Sequence, residues 1–93
     1  MPKYAVIAHR RVYKLIKELR EENLKKTIKN CISELQNYPT SLREMDVEKI
    51  RGSERTFRLR TGKSRVIFRV DKAERTIYVT HLEARKKAYT KLD

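Results

Sequence analysis

Polar and apolar residues alternate through "KYAVIA", which predicts a first strand at about residues 3–8. From His9 the period changes. Val12, Leu15, Ile16 and Leu19 recur at i, i+3, i+4 and i+7, one apolar stripe on a helix. Asn23 marks its expected stop. Leu24, Ile28, Cys31, Ile32 and Leu35 then repeat the stripe until Pro39 forces an end near Tyr38. Two short amphipathic helices in succession read as a helical hairpin covering one flat face. The stretch "PTSLREMDVEKIRGS" has no clear period and is expected to be an irregular connection with one helical turn. Beyond it the period is two. "ERTFRLR", "SRVIFRV" and "RTIYVTHL" are separated by short turns and predict an antiparallel meander. The closing "EARKKAYTKLD" is too charged for a strand and is expected to form a short helix or tail. The fold class is therefore α+β, in the order β-α-α-β-β-β, with the hairpin of helices on one face of a mainly antiparallel sheet. At 93 residues the chain is expected to be a single domain, 1–93.

The glycine turn sets a register. With Gly62 and Lys63 as loop residues, Thr61 faces Ser64, Arg60 faces Arg65, Leu59 faces Val66, Arg58 faces Ile67, Phe57 faces Phe68 and Thr56 faces Arg69. Alternation then puts Phe57, Leu59, Val66 and Phe68 on an apolar face. Arg58, Arg60, Arg65 and Arg69 surround Ile67 on the other. Carried into the next strand, the same alternation adds Ile77 and Val79 to the core side, with Tyr78, Thr80 and Leu82 on the basic side. His81 falls on the core parity and is expected to be a rim or core histidine.

Charge sharpens this picture. Lys and Arg number 24 against 12 Asp and Glu, a formal net charge of +12, and seven of those net charges lie in residues 53–93. So localised an excess makes an anionic partner the first expectation: nucleic acid, an acidic protein or a membrane surface. The single cysteine, Cys31, excludes an intrachain disulfide and suits a reducing compartment; it lies on an apolar stripe and is expected in the core. No stretch approaches a membrane span and "MPKYAVIAH" is too short and polar for a signal peptide, so the expected location is cytoplasmic. There is no Cys/His cluster, glycine-rich phosphate loop or Ser/His/Asp set, so no metal or nucleotide cofactor is indicated.

Four arginines on one strand face, with no carboxylate evident opposite them, exceed what a merely solvated face requires. The guanidinium fork matches phosphate oxygens and stacks on bases, so the face reads as an anion site. Arg85 and Tyr89 stand four apart and would point the same way from a helix. Lys25, Lys26 and Lys29 on the second helix are candidates for RNA backbone contact, beside the plainer reading of a solvated helix face. Lys63, Arg69, Lys86 and Lys87 are candidates for the same role around the arginine face.

Over nearly its whole length the chain resembles the RelE/ParE superfamily of toxin–antitoxin toxins, and within it the RelE-like mRNA interferases. The resemblance runs through the first strand, a helical hairpin ending in "YP", "VEKIRG", "FRLRTGKSRVIFRV" and "EARKKAYTKL". It implies catalytic basic residues at Arg58, Arg60 and Arg65, joined by Arg85 and Tyr89. The implied activity is metal-independent cleavage of mRNA in the ribosomal A site, by attack of a ribose 2′-hydroxyl on the adjacent phosphate. The implied partners are the ribosome, its mRNA and a RelB-like antitoxin that wraps the toxin in a hetero-oligomer. Many relatives carry Lys where Arg58 and Arg60 stand, and the basic residue often found two before Arg85 is here Glu83. A ParE-like toxin of DNA gyrase and a non-catalytic basic RNA-binding module remain as alternatives.

Overall fold

The computed structural model describes residues 3–83, in the order β1 (Ala5–Ala8), α1 (Arg10–Glu18), α2 (Glu22–Glu34), β2 (Asp46–Lys49), β3 (Thr56–Thr61), β4 (Ser64–Asp71) and β5 (Thr76–Glu83). The expected C-terminal helix or tail lies outside the described residues. His9 opens α1 as its N-cap, its Nδ1 accepting the Arg11 amide at 3.0 Å. The helix ends with the Leu19 amide donating to the Ile16 carbonyl at 3.2 Å. Asn23, the expected stop, instead lies within α2, where its carbonyl accepts from the Thr27 hydroxyl at 2.9 Å. α2 passes into a 3₁₀ turn at Leu35–Asn37, and a second follows at Thr40–Glu44.

The strands form a five-stranded sheet in the order β1-β5-β4-β3-β2, antiparallel except for the parallel pair β1–β5. The expected α+β order is therefore present, with one strand added. β2 falls in the segment expected to be irregular. It escapes a period count because Val47 is its single apolar residue, and it exists by pairing its backbone with β3 from Asp46↔Arg60 to Lys49↔Phe57. The β3–β4 register matches the one read from the glycine turn at all six positions, from Thr56↔Arg69 to Thr61↔Ser64. Gly62, with φ 63°, takes the left-handed backbone that the first loop residue of such a turn requires.

The core is built as the two periods demand. Val12, Ile16, Leu19, Ile28 and Leu35 from the helical layer meet Leu59, Val66, Phe68, Val70, Ile77, Val79 and Leu82 from the sheet. Phe57 stacks on Phe68 with ring centroids 5.4 Å apart. Leu15, expected on the buried stripe, is 38% exposed because α1 turns only Val12 and Ile16 inward. Cys31 is half-buried against the core.

The β4–β5 pair departs from simple alternation. Ile67 pairs with His81 and Phe68 with Val79, so Thr80 is an extra residue on β5, a β-bulge. The bulge reverses the parity of everything after it. Leu82, expected on the basic side, is buried opposite Val66, and His81, expected on the core parity, is exposed opposite Ile67. Unbroken alternation would have left Leu82 in water and pushed an imidazole into the core. Burying the leucine is worth about 1.5–3 kcal/mol.

Candidate nucleic-acid interface

The sheet face opposite the helices is organised in rows across the strands. One row runs Asp46, Arg60, Arg65, Glu83 from β2 to β5; the next runs Glu48, Arg58, Ile67, His81. A third contains Thr56, Arg69, Tyr78 and, from β1, Ile7. Arg58, Arg60 and Arg65 are thus brought side by side from adjacent strands of one tight hairpin. Arg69 joins them one row along, its guanidinium 4.7 Å from the centre of the Tyr78 ring. Lys63 sits in the loop at the tip of that hairpin.

Carboxylates do face these arginines, contrary to expectation. Arg58 Nη2 donates to Glu48 Oε2 at 2.6 Å, Arg60 Nε to Asp46 Oδ2 at 3.3 Å, and Arg65 Nη1 to Glu83 Oε1 at 3.4 Å. Two of the acids come from the strand that periodicity missed. The third comes from β5 beyond the bulge, where alternation had been reversed. The repulsion between Arg60 and Arg65, directly opposite each other, is therefore offset at both ends of the row. "DVEK" did carry a trace of this arrangement, since acid, apolar, acid at successive positions is period two over its shortest useful length.

These pairs are exposed, with side chains between 36% and 63% accessible, so each contributes little to stability. Each described pair also engages only one nitrogen of a guanidinium that has five N–H donors. The Glu48 carboxyl is held below the usual carboxylate range, first by the hydrogen bond from Arg58 and then by its charge, with Arg60 and Arg65 adding to it. A lowered folded-state value means that the pair's stabilisation is present above the ordinary carboxylate range. It is lost as pH falls through the lowered value. The arginines are thus held in place but exchangeable. A phosphodiester, which stays ionised at any ordinary pH, has the charge and acceptor geometry to compete for the same donors.

Lys25, Lys26 and Lys29 are not brought to this face. They lie on α2 in the helical layer, where Lys25 pairs with Glu22 at 3.8 Å and, with Lys29, lines a groove beside β1. Arg85, Lys86, Lys87 and Tyr89 lie outside the described residues. No group of His, Cys, Asp and Glu among the described residues is placed to hold a metal ion. No described helix is long and apolar enough to cross a membrane.

A family model, described as the ParE toxin of the parDE type II toxin–antitoxin system, matches residues 4–89. A curated chain of Methanocaldococcus jannaschii that carries the name toxin RelE1 is 36% identical over 87 residues, 94% of this chain and 96% of that one. The archaeal RelE–RelB complex of Pyrococcus horikoshii contains a chain superposing with a TM-score of 0.75 at 26% identity, over 94% of this chain and 99% of that one. For the RelB–RelE antitoxin–toxin complex of Methanococcus jannaschii the TM-score is 0.67 at 25% identity, with the same coverage. The isolated Escherichia coli RelE toxin, at 16% identity and a TM-score of 0.70 over 96% of this chain and 94% of that one, shares the fold.

Proposed function

The chain belongs to the RelE/ParE toxin superfamily, as a toxin of a RelBE-type toxin–antitoxin system, and from this premise we propose that it is a ribosome-dependent mRNA endoribonuclease. The observation that carries the reading is the trio Arg58, Arg60 and Arg65, set side by side with their side chains 36–55% accessible. Attack of a 2′-hydroxyl on the adjacent phosphate builds negative charge on the phosphoryl oxygens. Fixed, permanently protonated donors stabilise that charge without giving up a proton. In this reading Arg65 and Arg60 hold the scissile phosphate, and Arg58 holds a neighbouring phosphate or the 2′-oxygen. Arg85 assists at the phosphate or leaving group, and Tyr89 stacks on a base or exchanges a proton; both rest on the resemblance. The ribosome presents the message in a strained, ordered form, so positioning accounts for much of the acceleration.

The partner in this reading is a RelB-like antitoxin. It is supported by the two archaeal neighbours, which are toxins in complex with RelB, and by a net charge of +12 that an acidic or amphipathic chain would cover.

Expression of the chain without a partner should arrest growth, and primer extension on translated mRNA should show cuts within coding sequence. Intact transcripts in arrested cells would sink the nuclease reading. The matched family model favours a second reading, a ParE-like toxin that traps DNA gyrase. A gyrase-cleavage assay separates the two, and intact growth on expression would point to a non-toxic RNA-binding module.

The carboxylates make a further prediction. Glu48→Gln removes the charge that competes for Arg58 and should tighten binding of an oligouridylate at neutral pH by about two- to fivefold. Binding to the unaltered chain should approach that of the variant as pH falls through the lowered carboxyl range, where Glu48 takes up its proton and releases Arg58. Equal affinities at neutral pH would show that the pair does not compete. Fluorescence anisotropy at matched ionic strength reads both.

A further inference from the structure

The arginine trio supplies no proton acceptor, because a guanidinium keeps its proton at any pH the protein meets. The bulge in β5 supplies one. It turns His81 out of the core onto the arginine face, in the row of Arg58 and diagonal to Arg65. It also inserts Thr80, whose hydroxyl donates to the Ile67 carbonyl at 3.3 Å. In that bond the carbonyl accepts and the hydroxyl gives its one proton. Thr80 Oγ1 lies 3.0 Å from His81 Nδ1, and with its own proton on the carbonyl it accepts from an Nδ1–H. That arrangement corresponds to the tautomer with the proton on Nδ1 and the lone pair on Nε2, which receives no bond from any described group.

We propose that His81 is the general base of the cleavage reaction, taking the 2′-hydroxyl proton on Nε2 while Thr80 positions its ring. The proposal rests on the nuclease reading. As the proton moves to Nε2, the 2′-oxygen forms its bond to phosphorus and the bond from phosphorus to the 5′-oxygen breaks. The 5′-oxygen takes a proton from water, and the imidazolium returns its own to solvent. The products are a 2′,3′-cyclic phosphate and a 5′-hydroxyl, with no net change in protons. Arg65 lies diagonally across from His81 on β4, Arg58 stands two strands away in the same row with Ile67 between, and Glu83 is two residues along β5. The turn carrying His9, Arg10 and Arg11 adjoins this end of β5, where the His9 amide donates to the Val79 carbonyl at 2.9 Å.

Single-turnover cleavage on mRNA-programmed ribosomes, with ribosome binding measured separately, tests the assignment. His81→Gln should lower the cleavage rate by about 10²–10⁴-fold with little change in binding. It should also lose the acidic limb of the pH–rate profile that the unaltered chain shows. Thr80→Val should give a smaller loss and keep that limb, as expected of a positioning residue. A His81→Gln chain that cleaves at the original rate, or that loses binding in proportion to rate with its acidic limb intact, would overturn the proposal. Absence of cleavage by the unaltered chain would overturn the nuclease reading and this proposal together. His81 is exposed, so the folding of the variant is checked simply by its melting curve.

Discussion

An Arg65→Ala chain is expected to cleave mRNA on programmed ribosomes about 10²–10³-fold more slowly than the unaltered chain, the usual loss when one fixed donor to developing charge is removed. Arg65 is the arginine most central to the site. It pairs with Arg60 on β3 and Glu83 on β5, so a phosphate held there meets two guanidinium groups at once. Its own partner is weak, a single contact at 3.4 Å between half-exposed side chains, and little stability is lost with it. The melting temperature should hardly move. Arg65→Lys keeps the charge but not the planar fork, and should recover binding better than rate. Equal cleavage by Arg65→Ala and the unaltered chain would remove the arginine trio from the reaction.

Phe68→Ala should have the opposite profile, with a loss of about 3–5 kcal/mol of folding stability. Phe68 is wholly buried, stacks on Phe57 and lies beside the bulge that sets the register of β5. Small domains have only about 5–15 kcal/mol in total, so the variant should be largely unfolded in mild urea and depend on a partner chain to persist. A urea midpoint within error of the unaltered chain would mean that the two-layer core is not what holds the sheet together. The contrast between the two variants tests the proposed division of labour in one hairpin, with stability on its inward residues and chemistry on its outward ones.

Most of the fold is legible in the chain because its signals are local. The helical stripes of Val12, Ile16 and Ile28 and the period-two runs around Gly62 each declare themselves within a dozen residues. The β3–β4 register was readable because a two-residue turn leaves one alignment that buries Phe57, Leu59, Val66 and Phe68 together. The places that were not legible share a cause. β2 is too short and too polar to show a period, and becomes a strand only when β3 offers it backbone partners. The bulge at Thr80 is invisible to alternation because it is the interruption of alternation. Its motive, burying Leu82 against Val66, lies on another strand.

The residues of the hairpin by themselves determined that Arg58, Arg60, Arg65 and Arg69 share a face and that this face is suited to anions. The pleat reverses side chains at every residue, and a glycine turn fixes where the count begins. Only the tertiary structure decided what surrounds those arginines. Asp46, Glu48 and Glu83 pair with them from β2 and β5, and His81 comes to the same face, through a backbone ladder and a bulge whose stability depends on the packed core. A charge pattern is written along one strand, but a site is written across several, and the second depends on a register that no single strand contains.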